Sequence, residues 1–398
     1  MNYVIIIPDL HLGKGVAIGK AGLGATLNSR IVDQINLLDF CLDKAIESFA
    51  KDLILTGDIF EETKPSPALI TIFFSWLKKC RAHDVNVHLI MGNHDLFRSG
   101  SVFSSSLDII SEIDFDNVFV YKDINTIIIG SSAFTLLPYR DRRSFNTQSN
   151  AEAITILKDS LVYELAMIPL TYKKVLVGHL AIEGSIPVGD EIDDIANELF
   201  CPLDMFNGYD YVWMGHVHKP QIMKKKNPYI AHIGSMDISN FGETDHKKFI
   251  IIIDCDSNQY STEYLPTRPL KKISVSVPKD TDDTTSYVIN FIKNEKDDYK
   301  KAIIKVEVML LDSDLKSINK SHIEKYLIEQ GAFNIVGISE AKKASIIKKD
   351  INNTIDTKMD VFSAIKIYGQ TYVDAPVRDS FIELALDIYN TFKMETKE

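Results

Sequence analysis

Five clusters of metal-binding side chains each follow a short apolar run. Asp9 and His11 come after residues 3–7, Asp58 after 53–55, and Asn93, His94 and Asp95 after 87–91. His179 comes after 175–177, and His216 and His218 after 211–214. Taken singly, each has an ordinary reading: Asp58 as a helix cap, His179 as a hydrogen-bonded core histidine. Five such clusters at the ends of apolar runs in one chain do not share that reading. Mixed carboxylate, imidazole and amide ligation without cysteine suits Mn²⁺ or Fe²⁺, with Mg²⁺ or Zn²⁺ less well matched. The set Asp9, His11, Asp58, Asn93, His179, His216 and His218 is more than one cation needs and matches two that share a carboxylate. Two cations about 3.5–4 Å apart clamp the attacking and leaving oxygens of a phosphoryl displacement. His94 and Asp95 then remain as a candidate acid and its orienting carboxylate.

For these residues to meet, the apolar runs must be strands of parallel sheets, because ligands in α/β folds gather beyond the carboxyl ends of strands. Tyr3–Ile7 and Leu53–Leu55 are continuous apolar runs, as expected for strands covered on both faces. Leu38, Leu42, Ala45, Ile46 and Phe49 share one helical face, and 69–79 reads as a second helix after Pro65 and Pro67. The result is βαβαβ, whose crossovers imply a parallel sheet. Further strands are expected at 127–129, 175–177, 211–214 and 249–253, with a short basic loop at 139–143. Glycines at 13, 15, 19, 22 and 24 superficially suggest a P-loop. The spacing from Gly15 to Gly19 is one residue short and Lys20 precedes Ala21, so this stretch is expected to be a flexible surface loop that binds no ATP.

The 398 residues are enough for two or three domains, and at 45% hydrophobic and 25% charged the composition is that of a globular chain. No apolar run approaches a membrane span, and the N-terminal run stops at Pro8-Asp9 without the pattern of a signal peptide. Cys41, Cys80, Cys201 and Cys255 form no close pair, which fits a reducing cytoplasm rather than a disulfide framework. A net charge of −11 is unusual for a protein that holds nucleic acid alone, although bound cations reverse the local field.

In order, the motifs D-x-H, G-D, G-N-H-D, G-H and G-H-x-H resemble the calcineurin-like metallophosphoesterase superfamily. Gly57-Asp58-Ile59-Phe60-Glu61 with Lys64-Pro65-Ser66-Pro67 is similar to the SbcD-type DNA repair nucleases within it. So are Asp9 to Gly13, Leu137-Pro138-Tyr139, and Gly234-Ser235-Met236 leading to Asn240-Phe241-Gly242-Glu243. The resemblance covers residues 1 to about 270 and beyond that only the layout. It implies a four-layer α/β/β/α sandwich with a small α/β capping domain and a C-terminal helical tail. It also implies that Asp58 bridges two Mn²⁺ ions, with Fe²⁺ or Mg²⁺ as substitutes. Asp9, His11 and His218 would complete one site, Asn93, His179 and His216 the other, and His94 would face the scissile phosphate. Some members carry a second active histidine where this chain has Glu61, which leaves the role of Glu61 open. His232 is read as structural.

The composition shift at Pro266–Pro269 sets a boundary after 268, and a polar, lysine-rich stretch at 342–356 reads as a linker. The resemblance makes 1–268 the expected nuclease domain, 269–341 a DNA-binding cap and 357–398 the tail. Strands are expected at 270–277, 302–309 and 333–339, with helices near 283–294 and 318–330, the latter stopped by Gly331. Two tail helices are expected, one near 357–368 and one from Pro376 with Val377, Phe381, Leu384 and Ile388 as its apolar stripe. The resemblance implies 3′-to-5′ exonuclease action on duplex DNA and endonuclease action on single strands, by metal-activated water. It further implies a homodimer through helices near 67–79 and 101–111, and a tail that docks on an SMC-like coiled-coil ATPase of SbcC type. Such a protein would work in the cytoplasm, bacterial or, for a phage protein, that of the host. The rival readings are another phosphodiesterase or phosphatase of the superfamily, and a non-catalytic scaffold on the same fold.

Overall fold

The structure, a computed structural model, describes residues 2–22, 27–99, 102–113, 115–187, 197–257, 259–295, 297–342, 365 and 378–395. The chain starts with β1 (Tyr3–Ile7), α1 (Ser29–Ser48), β2 (Asp52–Leu55), α2 (Pro67–Ala82) and β3 (Asn86–Ile90). A hairpin of β4 (Leu96–Ser99) and β5 (Val102–Ser105) follows, then the one-turn α3 (Asp108–Ser111) and β6 (Val118–Tyr121). Next come β7 (Asn125–Ile129), β8 (Ser132–Leu137), α4 (Asn150–Met167), β9 (Lys173–His179), β10 (Ala181–Ile182) and β11 (Phe200–Cys201). After these come β12 (Tyr211–Gly215), β13 (Gln221–Lys224), β14 (Tyr229–His232), β15 (Phe249–Asp254) and β16 (Gln259–Tyr264). The last described elements are β17 (Leu270–Val277), α5 (Thr284–Asn294), β18 (Ile303–Leu310), α6 (Lys320–Glu329), β19 (Asn334–Lys342) and α7 (Arg378–Glu395).

Two six-stranded sheets face each other, ordered β16-β15-β1-β2-β3-β6 and β13-β14-β12-β9-β8-β7. β1, β2 and β3 run parallel, with Ile7 opposite Leu55, and β9 and β12 run parallel, with His179 opposite Gly215. Between the sheets lie Val4, Ile6, Ile54, Phe134, Val177 and Trp213. The outer face of the first sheet packs on α1 and α2, and that of the second on α4 through Leu157 and Leu161. This is the four-layer α/β/β/α arrangement. Strands such as Tyr3–Ile7 serve both an inner and an outer core, which is why they read as unbroken apolar runs rather than alternating ones.

The sequence of α2 specifies its own start and buried face. Ser66 caps it by accepting from Leu69 N, and Pro67 opens its first turn, where its missing N–H costs nothing. Phe73, Trp76, Leu77 and Cys80 are all buried on one face, each large side chain contributing about 1.5–3 kcal/mol. The Trp76 indole also donates to the Leu38 carbonyl of α1 at 2.9 Å.

Three local expectations are corrected. No long helix occupies 101–111: the β4–β5 hairpin precedes a single helical turn. Ser105 N donates to the Asp108 carboxylate and Leu107 N to the Ser105 hydroxyl, local bonds that compete with a helical ladder. Phe49 does not join the buried face of α1. It caps the helix at φ 60° and is 80% exposed, and Ile46 is also exposed, while Leu38, Leu42 and Ala45 are buried. The glycine-rich stretch is in part ordered: residues Val16–Ile18 form a 3₁₀ turn, and the Gln34 side chain accepts from Gly13 N at 2.9 Å.

β17, β18 and β19 form a separate parallel sheet covered by α5 and α6. Along β17, Ile273, Val275 and Val277 alternate inward with exposed residues between them. Asp283 and Asn319 cap the two helices, and Gly331 at φ 92° stops the second. This sheet meets the sandwich through Arg268, whose guanidinium holds Asp33 of α1 at 2.5 and 2.8 Å and lies 3.9 Å from the centre of the Phe333 ring. In α7, Phe381 is 38% and Leu384 60% exposed. Pro376, Val377, the Ile388 side chain, almost all of 342–356 and, except for residue 365, the expected helix at 357–368 lie outside the described residues.

Candidate metal centre

The carboxyl ends of β1, β2, β3, β9 and β12 open on one edge of the sandwich, and the residues just beyond them converge. Asp58 is central. Its Oδ2 lies 3.3 Å from His11 Nε2 and 3.3 Å from His179 Nε2, while Oδ1 accepts from His94 N at 2.9 Å. Asp9 accepts from the Thr56 hydroxyl and from His216 N, both at 2.6 Å. On one side of Asp58, His11 Nε2 and His218 Nε2 face each other at 2.9 Å. On the other, Asn93 Oδ1 lies 2.9 Å from His179 Nε2 and 3.0 Å from His216 Nδ1.

The local backbone is bent to achieve this. His11, Asp58 and His216 hold φ of 47°, 48° and 78°, a region that side-chain-bearing residues rarely occupy. The motif glycines serve one another's ligands. A Cβ on Gly92 would collide with the Asp58 carboxylate, and one on Gly215 with that of Asp9. The glycine of one motif thus leaves space for the carboxylate of another.

Burial shapes the electrostatics. It pushes the Asp58 carboxyl up, but His179 and His11 outweigh it and hold that carboxyl well below its ordinary range. Burial lowers His179, yet Asp58 and Asp9 raise it well above an ordinary imidazole. Burial, reinforced by neighbouring His11, depresses His218 strongly. Asp9, Asp58, His11, His179, His216 and His218 are all at most 3% exposed. Buried carboxylates opposite several imidazoles, two of them nitrogen to nitrogen, make a donor set that suits a divalent cation. Three overlapping triads, Asp9–His11–His218, His11–Asp58–His94 and Asp9–Asp58–His179, each offer atoms within 4.8 Å of one another.

His94 sits beside this set, its ring 4.8 Å from that of His11. The orienting partner expected for it was Asp95, and that expectation is corrected. Asp95 accepts from Ile59 N and Gly92 N, both at 3.0 Å, and so ties the β2 and β3 loops together. Burial and then Asp58 push its carboxyl up to about 7. The His94 ring is held instead by the main chain, with Nδ1 2.6 Å from the Glu61 carbonyl. That contact makes Nδ1 the protonated nitrogen and leaves Nε2 for chemistry.

Glu61 meets His11 Nδ1 at 2.8 Å and Lys14 at 3.3 Å. The His11 contact is short but off the axis of a ring N–H, and burial lowers the His11 imidazole. His232 Nδ1 lies 3.0 Å from the Gly215 carbonyl. Burial lowers it to about 4, so it is a neutral packing histidine. Sequence reasoning missed two buried groups. Lys248 donates to the His218 carbonyl at 3.1 Å, and Glu198 reaches His216 Nε2 at 3.3 Å. Neither carries a local signal, because each acts on a ligand far away in sequence.

Comparison with known proteins places this geometry in context. Residues 3–220 match the family model described as calcineurin-like phosphoesterase, which is more than half of the chain. A protein of Staphylococcus saprophyticus, named as the SbcD component of nuclease SbcCD, is 24% identical over 68% of this chain and 70% of its own length. A protein of the same name from Staphylococcus epidermidis is 23% identical over 56% of this chain, and the match spans only 60% of that relative. Among solved structures, a dimetal phosphatase from Danio rerio aligns over 66% of this chain and 96% of its own, at 12% identity and a TM-score of 0.41.

Proposed function

This chain belongs to the calcineurin-like phosphoesterase family, and from that premise we propose that it is the nuclease subunit of an SbcCD-type DNA repair complex. The observation that carries the reading is the Asp58 carboxylate between two groups of donors. Asp9, His11 and His218 would hold one Mn²⁺ and Asn93, His179 and His216 the second, with Asp58 shared. Bound divalent cations neutralise phosphate charge and supply a nucleophile at neutral pH.

The chain's own residues supply the rest. Asp9 and Asp58 hold the two groups together. His94, its Nδ1 fixed on the Glu61 carbonyl, directs Nε2 at the phosphodiester, where it stabilises developing charge or protonates the leaving oxygen. Asp95 braces the loops that carry Asp58 and Asn93. Residues 1–268 form the nuclease domain, 269–341 a cap that touches DNA, 342–356 a linker, and 357–398 the tail that docks on a coiled-coil ATPase. The two relatives named for the SbcCD nuclease support the partner and the DNA substrate. The exposed Leu384 supports a tail that binds elsewhere. The protein works as a homodimer in the cytoplasm, and no helix among the described residues is long and apolar enough to cross a membrane.

Digestion of end-labelled linear duplex and of single-stranded circles, with Mn²⁺ or Mg²⁺ and with or without the copurifying ATPase, tests this. Mn²⁺-dependent shortening from 3′ ends and nicking of the circles are expected. Turnover of cyclic nucleotides or phosphomonoesters with no attack on either DNA would make the chain a different phosphoesterase.

A further inference from the structure

Glu198 follows no motif and has no place in the ligand set, yet it is only 3% exposed and lies against the site. Its Oε1 is 3.3 Å from His216 Nε2. Neither atom has a hydrogen-bond partner among the described residues, so the contact is a close approach rather than an aligned hydrogen bond. Its Oε2 accepts from the Tyr139 hydroxyl at 2.9 Å. Tyr139 is itself anchored where β3 ends, its N–H donating to the Met91 carbonyl at 2.8 Å, and its ring is 5.7 Å from that of His216. The Glu198 carbonyl accepts from Asn150 at the start of α4. A buried carboxylate fixed at its main chain and at one oxygen thus turns its other oxygen toward a single imidazole nitrogen.

The opposite ring nitrogen decides what that contact does. His216 Nδ1 faces Asn93 Oδ1, as does His179 Nε2. The second nitrogen of His179 is 2.9 Å from the Thr56 carbonyl, which holds His179 as a donor on its far side. We propose that Glu198, braced by Tyr139, is a positioning residue that keeps the His216 proton on Nε2 and so presents the Nδ1 lone pair to the second cation. The carboxylate-to-imidazole pairing fixes the tautomer and the ring plane. The contact of Glu61 with His11 is the counterpart on the other side of Asp58. That contact is the shorter at 2.8 Å, but Glu61 is 31% exposed and shared with Lys14.

The inference rests on the two-cation reading, and the experiment separates the two. Full-length chelator-stripped protein is titrated with Mn²⁺ by calorimetry, as wild type, Glu198→Leu, Glu198→Gln and Tyr139→Phe. Melting of each cation-free form is recorded alongside, and the imidazole ¹⁵N shifts of His216 are measured without metal. We expect two equivalents in the wild type and, in Glu198→Leu, one equivalent weakened about 10–100-fold with the other little changed. Glu198→Gln and Tyr139→Phe should fall between, and the His216 shifts should report an Nε2–H tautomer lost in Glu198→Leu. If Glu198→Leu melts far lower than wild type, Glu198→Gln alone decides. Wild-type affinities for both equivalents, or an unchanged tautomer, overturn the positioning role. Complete loss of one equivalent makes Glu198 a ligand and overturns it too. A wild type that binds fewer than two equivalents fails the two-cation reading instead.

Discussion

At the site edge of the sandwich, His11, Asp58 and His216 hold positive φ, and buried atoms such as His216 Nε2 and Glu198 Oε1 lack aligned hydrogen bonds. In the β17–β18–β19 unit, by contrast, β17 and β18 alternate inward and outward, Asp283 and Asn319 cap their helices, and Gly331 stops α6. The two regions lie in one chain and share the Arg268–Asp33 contact. The second keeps to rules that favour packing, apart from Lys301 at φ 59°, whereas the first departs from them at His11, Asp58 and His216, which hold ligand atoms at short range. Local strain and unsatisfied polar atoms concentrate where structure serves chemistry.

The largest effect should come from breaking the centre of the strained region. Asp58→Ala should abolish hydrolysis even of a small chromogenic diester and release bound Mn²⁺, as read by metal analysis of the purified variant. Two equivalents of Mn²⁺ remaining would show that Asp58 is not shared. His94→Ser is the milder break, because the donor set stays intact. Metal content should be unchanged and DNA cleavage should fall by about 10²–10⁴-fold, the usual worth of general acid catalysis. Wild-type cleavage in that metal-loaded variant would remove His94 from the mechanism.

Leu327→Ala tests the regular region. Leu327 is fully buried between α6 and the small sheet, and its truncation should cost about 2–5 kcal/mol in a melt or denaturant titration. Hydrolysis of the small diester should stay within about twofold, consistent with a mutational effect confined to distant contacts. A parallel loss of Mn²⁺ affinity would mean that Arg268 and Asp33 couple the two regions into one energetic unit. The smallest effect on either region is expected from the tail. Changing Phe381 and Leu384 together to Glu should leave melting and diester hydrolysis unchanged, because both positions are already exposed. The same variant should no longer copurify with the ATPase. Strong destabilisation with the partner still bound would make α7 a brace on its own chain.

Much of the site was legible in the sequence because strand ends in parallel sheets are predictable neighbours. The apolar runs at Tyr3–Ile7 and Leu53–Leu55 are dictated by cores on both faces, and short loops place Asp9 and Asp58 directly beyond them. The helix expected at 101–111 failed because side-chain bonds from Ser105 and Asp108 compete locally with helix formation, an outcome that periodicity does not register. Phe49 failed for a similar reason: its spacing fits the buried face of α1, but the helix ends in a left-handed cap at that residue.

Residue type and order along the chain therefore marked the parallel strands, the edge that carries the candidate site and the kinds of atoms offered there, while the sandwich came from the family resemblance. Tertiary structure alone decided which ring nitrogen of each histidine faces inward. It also decided that Glu61's carbonyl rather than Asp95 holds His94, and that Glu198 stands behind His216. Periodicity encodes which face of an element is buried. The partner of a buried polar atom is set by where distant strands end and how their loops bend, to within a few tenths of an ångström. Short-range electrostatics and hydrogen-bond angles act on that scale, and no pattern along a single chain specifies it.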